Sequence, residues 1–419
     1  MSSCPYANML DPEFFGGGHH QQKIADIRQR GGGVIKMDDP ISGVPYWAIM
    51  VREHCDYVSK HPELFSSQAR TAIPHEFDQA MVDDIQSQML INMDPPRHLK
   101  HRRITRNAFT VKAVASYEAR FRQHAKNIVD AVAAKGECEF VRDVAAELPL
   151  IAILELCGVP LEDRHDFFAW TNAMIFRDDE GDAEAAQAAA ELASIEMLGY
   201  AAKLAAQHEQ QPNSLILSAL LDGKVDGERM SVEEFQWFFL MLIVAGNESS
   251  RTVTTHMMRL LMEHPDQLQM LVDHPEMIED AIEEALRYNT AFMVMRRTAT
   301  ADTELGGQQI KQGDKVVMFY HSINFDEAVF DNPMEFDITR GQRMAKLANE
   351  HRAFGVGQHF CLGSHLARLE LKVMMQEIIP RLRNPRLAGP IKFMKDYFVN
   401  GIGSMPITFD PEVTSKTSA

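Results

Sequence analysis

The sequence predicts a mainly α-helical fold with a small β portion. Three observations predict it. Apolar residues recur at three- and four-residue spacing from residue 97 to about 289. Short apolar runs punctuated by turn residues flank that region on both sides, and no Pro/Gly/Ser-rich linker divides the chain. The 419 residues are read as one domain, 1–419, with residues 1–20 as a loose Gly- and His-rich tail. A composition of 45% hydrophobic and 24% charged residues supplies a large core.

Ahead of Gly33 the pattern carries one short helical stretch. Residues 34–37 and 45–51 are apolar runs separated by Asp38-Asp39-Pro40, which predicts a β-hairpin. Breaks in the helical region fall near Lys135-Gly136, Gly158-Val159-Pro160, Gln211-Pro212 and Asp226-Gly227. Residues 231–261 form the longest helix candidate. It opens with Ser231 and, three residues on, Glu234, the spacing of a capping box. After Arg296, residues 298–305, 308–310 and 316–319, punctuated by Gly306-Gly307 and Gly313, predict short antiparallel strands. Residues 333–351 read as irregular and 362–380 as helix.

Lys and Arg total 42 against 59 Asp and Glu, a net charge of -17. Such a chain has no general attraction to nucleic acid or anionic membranes. Residues 1–15 lack a basic segment followed by an apolar stretch, so no signal peptide is expected. The longest strongly apolar run, 237–245, is about half the roughly 20 residues a membrane-spanning helix needs. Five widely spread cysteines fit reduced thiols and a cytoplasmic location. Gly31-Gly32-Gly33 has neither the lysine nor the spacing of a nucleotide loop.

The segment from Phe354 to Gly363, Phe-Gly-Val-Gly-Gln-His-Phe-Cys-Leu-Gly, lies between an irregular stretch and a strong helix. Three glycines near one cysteine permit unusual backbone angles and close approach by a flat ligand. A cysteine ahead of a helix start feels the positive end of the helix dipole, which favours the thiolate. A lone cysteine is more often a small buried hydrophobe, but the pattern around Cys361 argues otherwise. Phe-Gly-x-Gly-x-His-x-Cys-x-Gly, followed by Leu366-Ala367-Arg368, resembles the cysteine-ligand loop of the cytochrome P-450 family. A resemblance spanning residues 45–410 implies that family's fold, with a long central helix over a haem.

Two further segments match in the expected order. Glu284-Ala285-Leu286-Arg287 fits the Glu-x-x-Arg helix. The resemblance implies a buried pair joined by Arg340 that holds the cysteine loop, although an i, i+3 pair by itself is usually a weak surface contact. Ala245-Gly246-Asn247-Glu248-Ser249-Ser250 fits the oxygen-binding helix. A glycine inside a helix costs about 1 kcal/mol, so Gly246 invites either that reading or a mere packing notch. The family usually has Thr where this chain has Ser249, and Ser250 competes for the same role.

Carried over residue by residue, Cys361 would be the iron ligand of haem b. His98, Arg102, Arg297 and His359 would contact the propionates, and Phe354, Gly363, Ala245 and Gly246 would line the haem. Glu248 and Ser249 would relay protons to dioxygen. Between Arg97 and Lys112 several basic residues occur with no acidic one. Lys100, Arg103 and Arg106 are candidates for docking an acidic ferredoxin fed by an NAD(P)H-dependent reductase. Substrate walls would come from residues 65–92, 174–176, 291–295 and 398–402 and from the long helix near Val244, offering Phe176, Val244, Met293, Val294, Met295 and Phe398. Each apolar residue singly reads as plain core; together they suggest an apolar pocket. The stretches 245–251 and 398–402 look similar to members that hydroxylate terpenoids, sterols or branched lipids. The implied reaction is haem-dependent hydroxylation of an apolar small molecule with O2 and two electrons. Rival readings are a peroxide-driven haem-thiolate enzyme, a haem protein that only binds a ligand or gas, and a zinc or redox site of His359, Cys361 and His365.

Overall fold

A computed structural model describes residues 8–16, 18, 20–175, 183–210, 215–225, 227–344 and 346–412. The long helix Val232–Glu263 runs through the centre. Ser231 Oγ accepts from the Glu234 N–H while the Glu234 carboxylate accepts from the Ser231 N–H, so the expected capping box closes. Helices Glu147–Leu156, Ala183–Gln210, Ile278–Tyr288 and Ser364–Arg381 pack around it. Leu148 to Leu154 is buried without interruption, since this short helix is enclosed on every side. The core between these helices is filled by Phe121, Phe140, Phe167, Phe235 and Phe239.

The β portion lies to one side. Strands Val34–Met37 and Tyr46–Ile49 pair antiparallel as the hairpin pattern predicts, and Lys315–Phe319 adds parallel to the second. Val294–Ala299 pairs antiparallel with Lys315–Phe319 and carries Phe65–Ser66 on its far side. The expected strand over 298–305 is therefore displaced: the central strand begins at Val294, and Thr303–Leu305 pairs separately with Gln308–Ile310. Arg296 and Arg297, both buried in that strand, break the apolar pattern that marks a strand in sequence. The Glu76 carboxylate meets Arg296 at 2.9 Å; Arg297 turns towards the site described below. A second sheet joins Arg383–Leu387, Pro406–Asp410 and Glu137–Glu139.

The described part of the expected loose tail is packed. Met9, Leu10 and Phe15 are buried in one cluster with Ile24, Met293, Val294 and Phe319, and His20 opens helix His20–Gly31. Sparse apolar residues at residues 9–15 give no periodicity, so their burial is set by the sheet surface they cover. No helix among the described residues is long and apolar enough to cross a membrane.

Candidate active site

Residues 351–363 form a loop between the short helix Leu347–Glu350 and Ser364–Arg381. Gly355 and Gly357 have φ of 69° and 75°. A Cβ on Gly357 would lie 2.6 Å from the Ser59 carbonyl oxygen of helix Arg52–Lys60, so both conformation and space demand glycine there. The Cys361 N–H donates to the Phe354 carbonyl at 2.9 Å, which closes the loop across its glycines. Cys361 is half-buried, and nothing lies within 4 Å of a Cβ built on Gly363. Burial pushes the thiol up, while the Gly363 N–H and the Arg102 and Arg368 guanidinia pull it back. The expected helix-dipole preference for thiolate is thus outweighed by desolvation in the protein alone.

Two ionic networks hold this loop. Glu284 and Arg287, both fully buried, meet in a bidentate pair with both contacts at 2.7 Å; Arg340 Nε reaches Glu284 at 3.0 Å. The arginines donate onward to the carbonyls of Asn324, Asp331, Pro333 and Glu335, so few donors are left unmet. Asn324 Oδ1 accepts the Arg352 N–H at the loop entrance. Sequence reasoning missed the second network. Glu283 binds Arg368 at 2.5 and 2.9 Å and His351 at 2.9 Å, and these partners pull its carboxyl down to about 2 despite burial. The Arg368 guanidinium lies 4.5 Å from the Phe354 ring centroid, a cation–π contact across the loop. The doubled Glu283-Glu284 together with Arg368 was the available signal.

Four of the expected contact residues converge beside the loop. The His98 and His359 rings lie 4.1 Å apart, and His359 is also within 3.3 Å of Ser67 Oγ. Burial, then Arg102 and Arg297, pushes His98 down to about 4; burial, then Arg297, His98 and Arg102, holds His359 well below its usual range. Arg297 is buried with one donor on the Arg296 carbonyl, and Arg102 donates to the Phe360 carbonyl. Among the described residues neither arginine forms an ion pair with a carboxylate, and both ring nitrogens of the fully buried His98 lack a hydrogen-bond partner. A buried guanidinium and an orphaned imidazole are costly unless a bound anion meets them. A flat group carrying its own carboxylates, laid against Cys361 and the open side of Gly363, fits these residues.

On the long helix Ala245 is exposed and Val244, Gly246 and Ser249 are half-buried, although most of the helix is covered. The Ser249 hydroxyl donates to the Ala245 carbonyl at 2.8 Å. Ser250 is buried and turned towards Glu370 of Ser364–Arg381, away from that accessible face. Glu248 is buried, paired to Arg251 at 2.6 Å and within 3.2 Å of Thr252 Oγ1. Its carboxyl is pushed up by burial against the pull of Arg251. A Cβ on Gly246 would fall 3.2 Å from Ile153 Cγ1, so this glycine also lets the helix pack closely against Ile153.

Among the proposed substrate walls, Phe176 lies outside the described residues. Met293 and Val294 are 1% and 0% exposed in the cluster under the N-terminal segment, which is the plain-core reading. Met295 is half-buried. Phe292, inside the expected wall of residues 291–295, is half-buried with its ring 5.0 Å from that of Phe398. A polar cleft of about 470 Å³ between residues 66–69, 82–87 and 94–97 opens next to the basic helix Arg97–Arg106. On that helix Arg103 and Arg106 are exposed and Lys100 is half-buried. His365 is exposed, and no three His, Cys, Asp or Glu among the described residues could hold a metal between them, which disfavours the zinc reading.

The steroid C26-monooxygenase of Rhodococcus jostii is 39% identical over 368 residues, which cover 87% of this chain and 75% of the relative. The chain belongs to the cytochrome P450 family. The family model, Cytochrome P450, matches residues 272–384, which contain both ionic networks and Cys361. A steroid C26-monooxygenase of Mycolicibacterium smegmatis is 38% identical over 363 residues, 85% of this chain and 82% of the relative. The structure of a Mycobacterium marinum P450 in complex with pseudoionone superposes with a TM-score of 0.86 at 31% identity, covering 98% of this chain and 100% of that one. This protein is a P450 monooxygenase, and the family implies a haem.

Proposed function

We propose that this P450 hydroxylates a steroid or terpenoid, using haem b ligated by Cys361 and electrons from a ferredoxin. The observation that carries the reading is the buried Arg297, the half-buried Arg102 and the orphaned His98 imidazole, which have no carboxylate partner among the described residues, beside the glycine-built cysteine loop. The substrate class rests on the names of the relatives, on the accessible Val244–Ala245 face and on the Phe292–Phe398 pair. When bound, the haem supplies reductive activation of dioxygen and transfer of one oxygen atom into a C–H bond. His98, Arg102, Arg297 and His359 hold its carboxylates, and the two ionic networks keep the Cys361 sulfur in place. Val244, Ala245 and the aromatic pair exclude water and orient an apolar skeleton.

Glu248 and Ser249 deliver protons to the accessible face. Burial lets the Glu248 carboxyl hold a proton closer to neutrality than an exposed glutamate. The Ser249 hydroxyl, tethered to Ala245, hands it on; a tethered relay favours dioxygen use over peroxide, which arrives with its protons. In Ser249→Ala, product per NAD(P)H consumed should fall several-fold and peroxide release rise, with haem content unchanged. Ser250→Ala should leave that ratio as it is. Tight coupling in Ser249→Ala removes the assignment.

Arg103 and Arg106, exposed on one helix with Lys100 beside them, form the docking patch for an acidic ferredoxin. Reversing all three to Glu should slow reduction by on the order of tenfold at low salt and flatten its ionic-strength dependence. Stopped-flow reduction across a salt series checks this. For the substrate class, titration of the oxidised holoprotein with steroids and terpenoids should shift the Soret band. A panel that produces no shift rejects the class while leaving the haem assignment standing.

A further inference from the structure

Away from the haem residues, a chain of buried polar side chains crosses three elements. The His256 Nε2–H of the long helix donates to the Asn400 carbonyl at 2.7 Å. Asn400 Nδ2 donates to His321 Nε2 at 3.1 Å, with further contacts to Asn289 Oδ1 and the Thr290 carbonyl at 3.4 Å. His321 Nδ1 meets His20 Nε2 at 3.0 Å. All four side chains are buried, at 5% exposure or less. The carbonyl acceptor fixes the His256 tautomer. With Nε2 of His256 donating, its Nδ1 is free to accept from Arg259 Nε at 3.4 Å. In the tautomer where His321 Nε2 accepts from the amide, its Nδ1–H donates to His20. Burial pushes His321 down to about 3 and His256 well below its usual value, so both rings are neutral.

The knot of this chain is Asn400, and its backbone stitches the two pocket segments together. The Asn400 N–H donates to the Ala291 carbonyl at 2.8 Å, the Met293 N–H to the Phe398 carbonyl at 2.8 Å, and Phe292 and Val399 form a β-bridge. Phe292 and Phe398 stand ring to ring on these paired backbones, and Asn400 beside them is held from both sides, by His256 on the long helix and by His321 on the sheet side.

We infer that Asn400, His256 and His321 are specificity-determining positioning residues: they set the distance between the Phe292–Phe398 wall and the long helix, and so the shape of substrate the pocket accepts. The inference rests on the proposed apolar pocket. An amide at 400 answers a double demand: its side-chain N–H reaches His321 while its backbone carbonyl serves His256. A solvent-facing residue would be free of that demand.

The test compares Asn400→Ala, His321→Leu and His321→Gln as holoproteins. Two probes are used: a turned-over steroid, and the ratio of affinities for imidazole and for a bulky triphenylmethyl azole, both read by the Soret shift. In Asn400→Ala and His321→Leu the azole ratio should change about tenfold, KM should rise more than kcat falls, and the distribution of hydroxylated products should broaden. His321→Gln, whose amide oxygen can accept in place of Nε2, should restore all three. If Asn400→Ala yields no holoprotein, His321→Leu carries the test, since it leaves every backbone bond of Asn400 intact. Unchanged azole ratio and product distribution in a folded His321→Leu overturn the inference. A wild type that turns over no steroid but shows the azole effect keeps the inference and rejects the substrate class.

Discussion

A Cys361→Ser variant is expected to lose the strongly red-shifted absorption of the reduced, carbon monoxide-bound protein, and monooxygenase turnover with it. The expectation follows from what the loop does and does not depend on. Gly355, Gly357 and the Cys361 N–H to Phe354 bond shape the backbone without the sulfur, so serine occupies the same place. Of the residues that meet the haem carboxylates, Arg102, His98 and Arg297 lie on other elements and remain. Haem should therefore still bind, which separates loss of the thiolate from loss of the cofactor. A serine hydroxyl holds its proton far more tightly than a thiol and donates less electron density to iron, so the spectral signature and O–O cleavage fail together. Cys138→Ser, on the short strand Glu137–Glu139 where burial pushes the thiol up to about 12, should keep the band in place. Persistence of the red-shifted band in Cys361→Ser would show that another group ligates the iron.

How much of this was legible from sequence depends on whether a residue's role is local. The capping box at Ser231 and Glu234, the glycines around Cys361 and the Glu284–Arg287 spacing are short-range features, and each reads directly into structure. Roles set by distant partners were hidden. Arg296 and Arg297 look like a strand's end because their partners, Glu76 and the His98–His359 cluster, come from elsewhere in the chain. Gly246 suggests an opening over the haem, and its missing Cβ also makes room for Ile153. Ser249 and Ser250 are adjacent letters, and only the helix's 100° step turns one to the open face and the other to Glu370. Residues 9–15 show no pattern because the surface they cover is a sheet formed by residues far along the chain. Glu283 was overshadowed by its neighbour, although it grips the cysteine loop through Arg368 and His351.

Removing the carboxylate at the centre of the buried triad should have the largest effect on stability. In Glu284→Ala, Arg287 and Arg340 remain as two buried cations, at 0% and 4% exposure, with their shared counter-charge gone. Breaking a buried pair from one side costs about 3–5 kcal/mol, because the abandoned charge has neither water nor partner. The comparison is Glu263→Ala, which ends a 2.7 Å pair with Arg259 at the helix surface and should cost about 0.5 kcal/mol. Both variants can be read by urea denaturation and by haem content per mole of protein. Glu284→Ala is expected to lose haem as well as stability, because the same carboxylate accepts the Asp337 N–H, and its arginines tie down the 324–335 connection ahead of the cysteine loop. Loss of stability with full haem retention would mean that the Glu283–Arg368 network alone holds the loop. A native denaturation midpoint would mean that the arginines recruit the carbonyls of Asn324, Pro333 and Glu335 without help from the carboxylate. The fold would then owe this region to neutral hydrogen bonds instead of to the charge that the Glu-x-x-Arg spacing encodes.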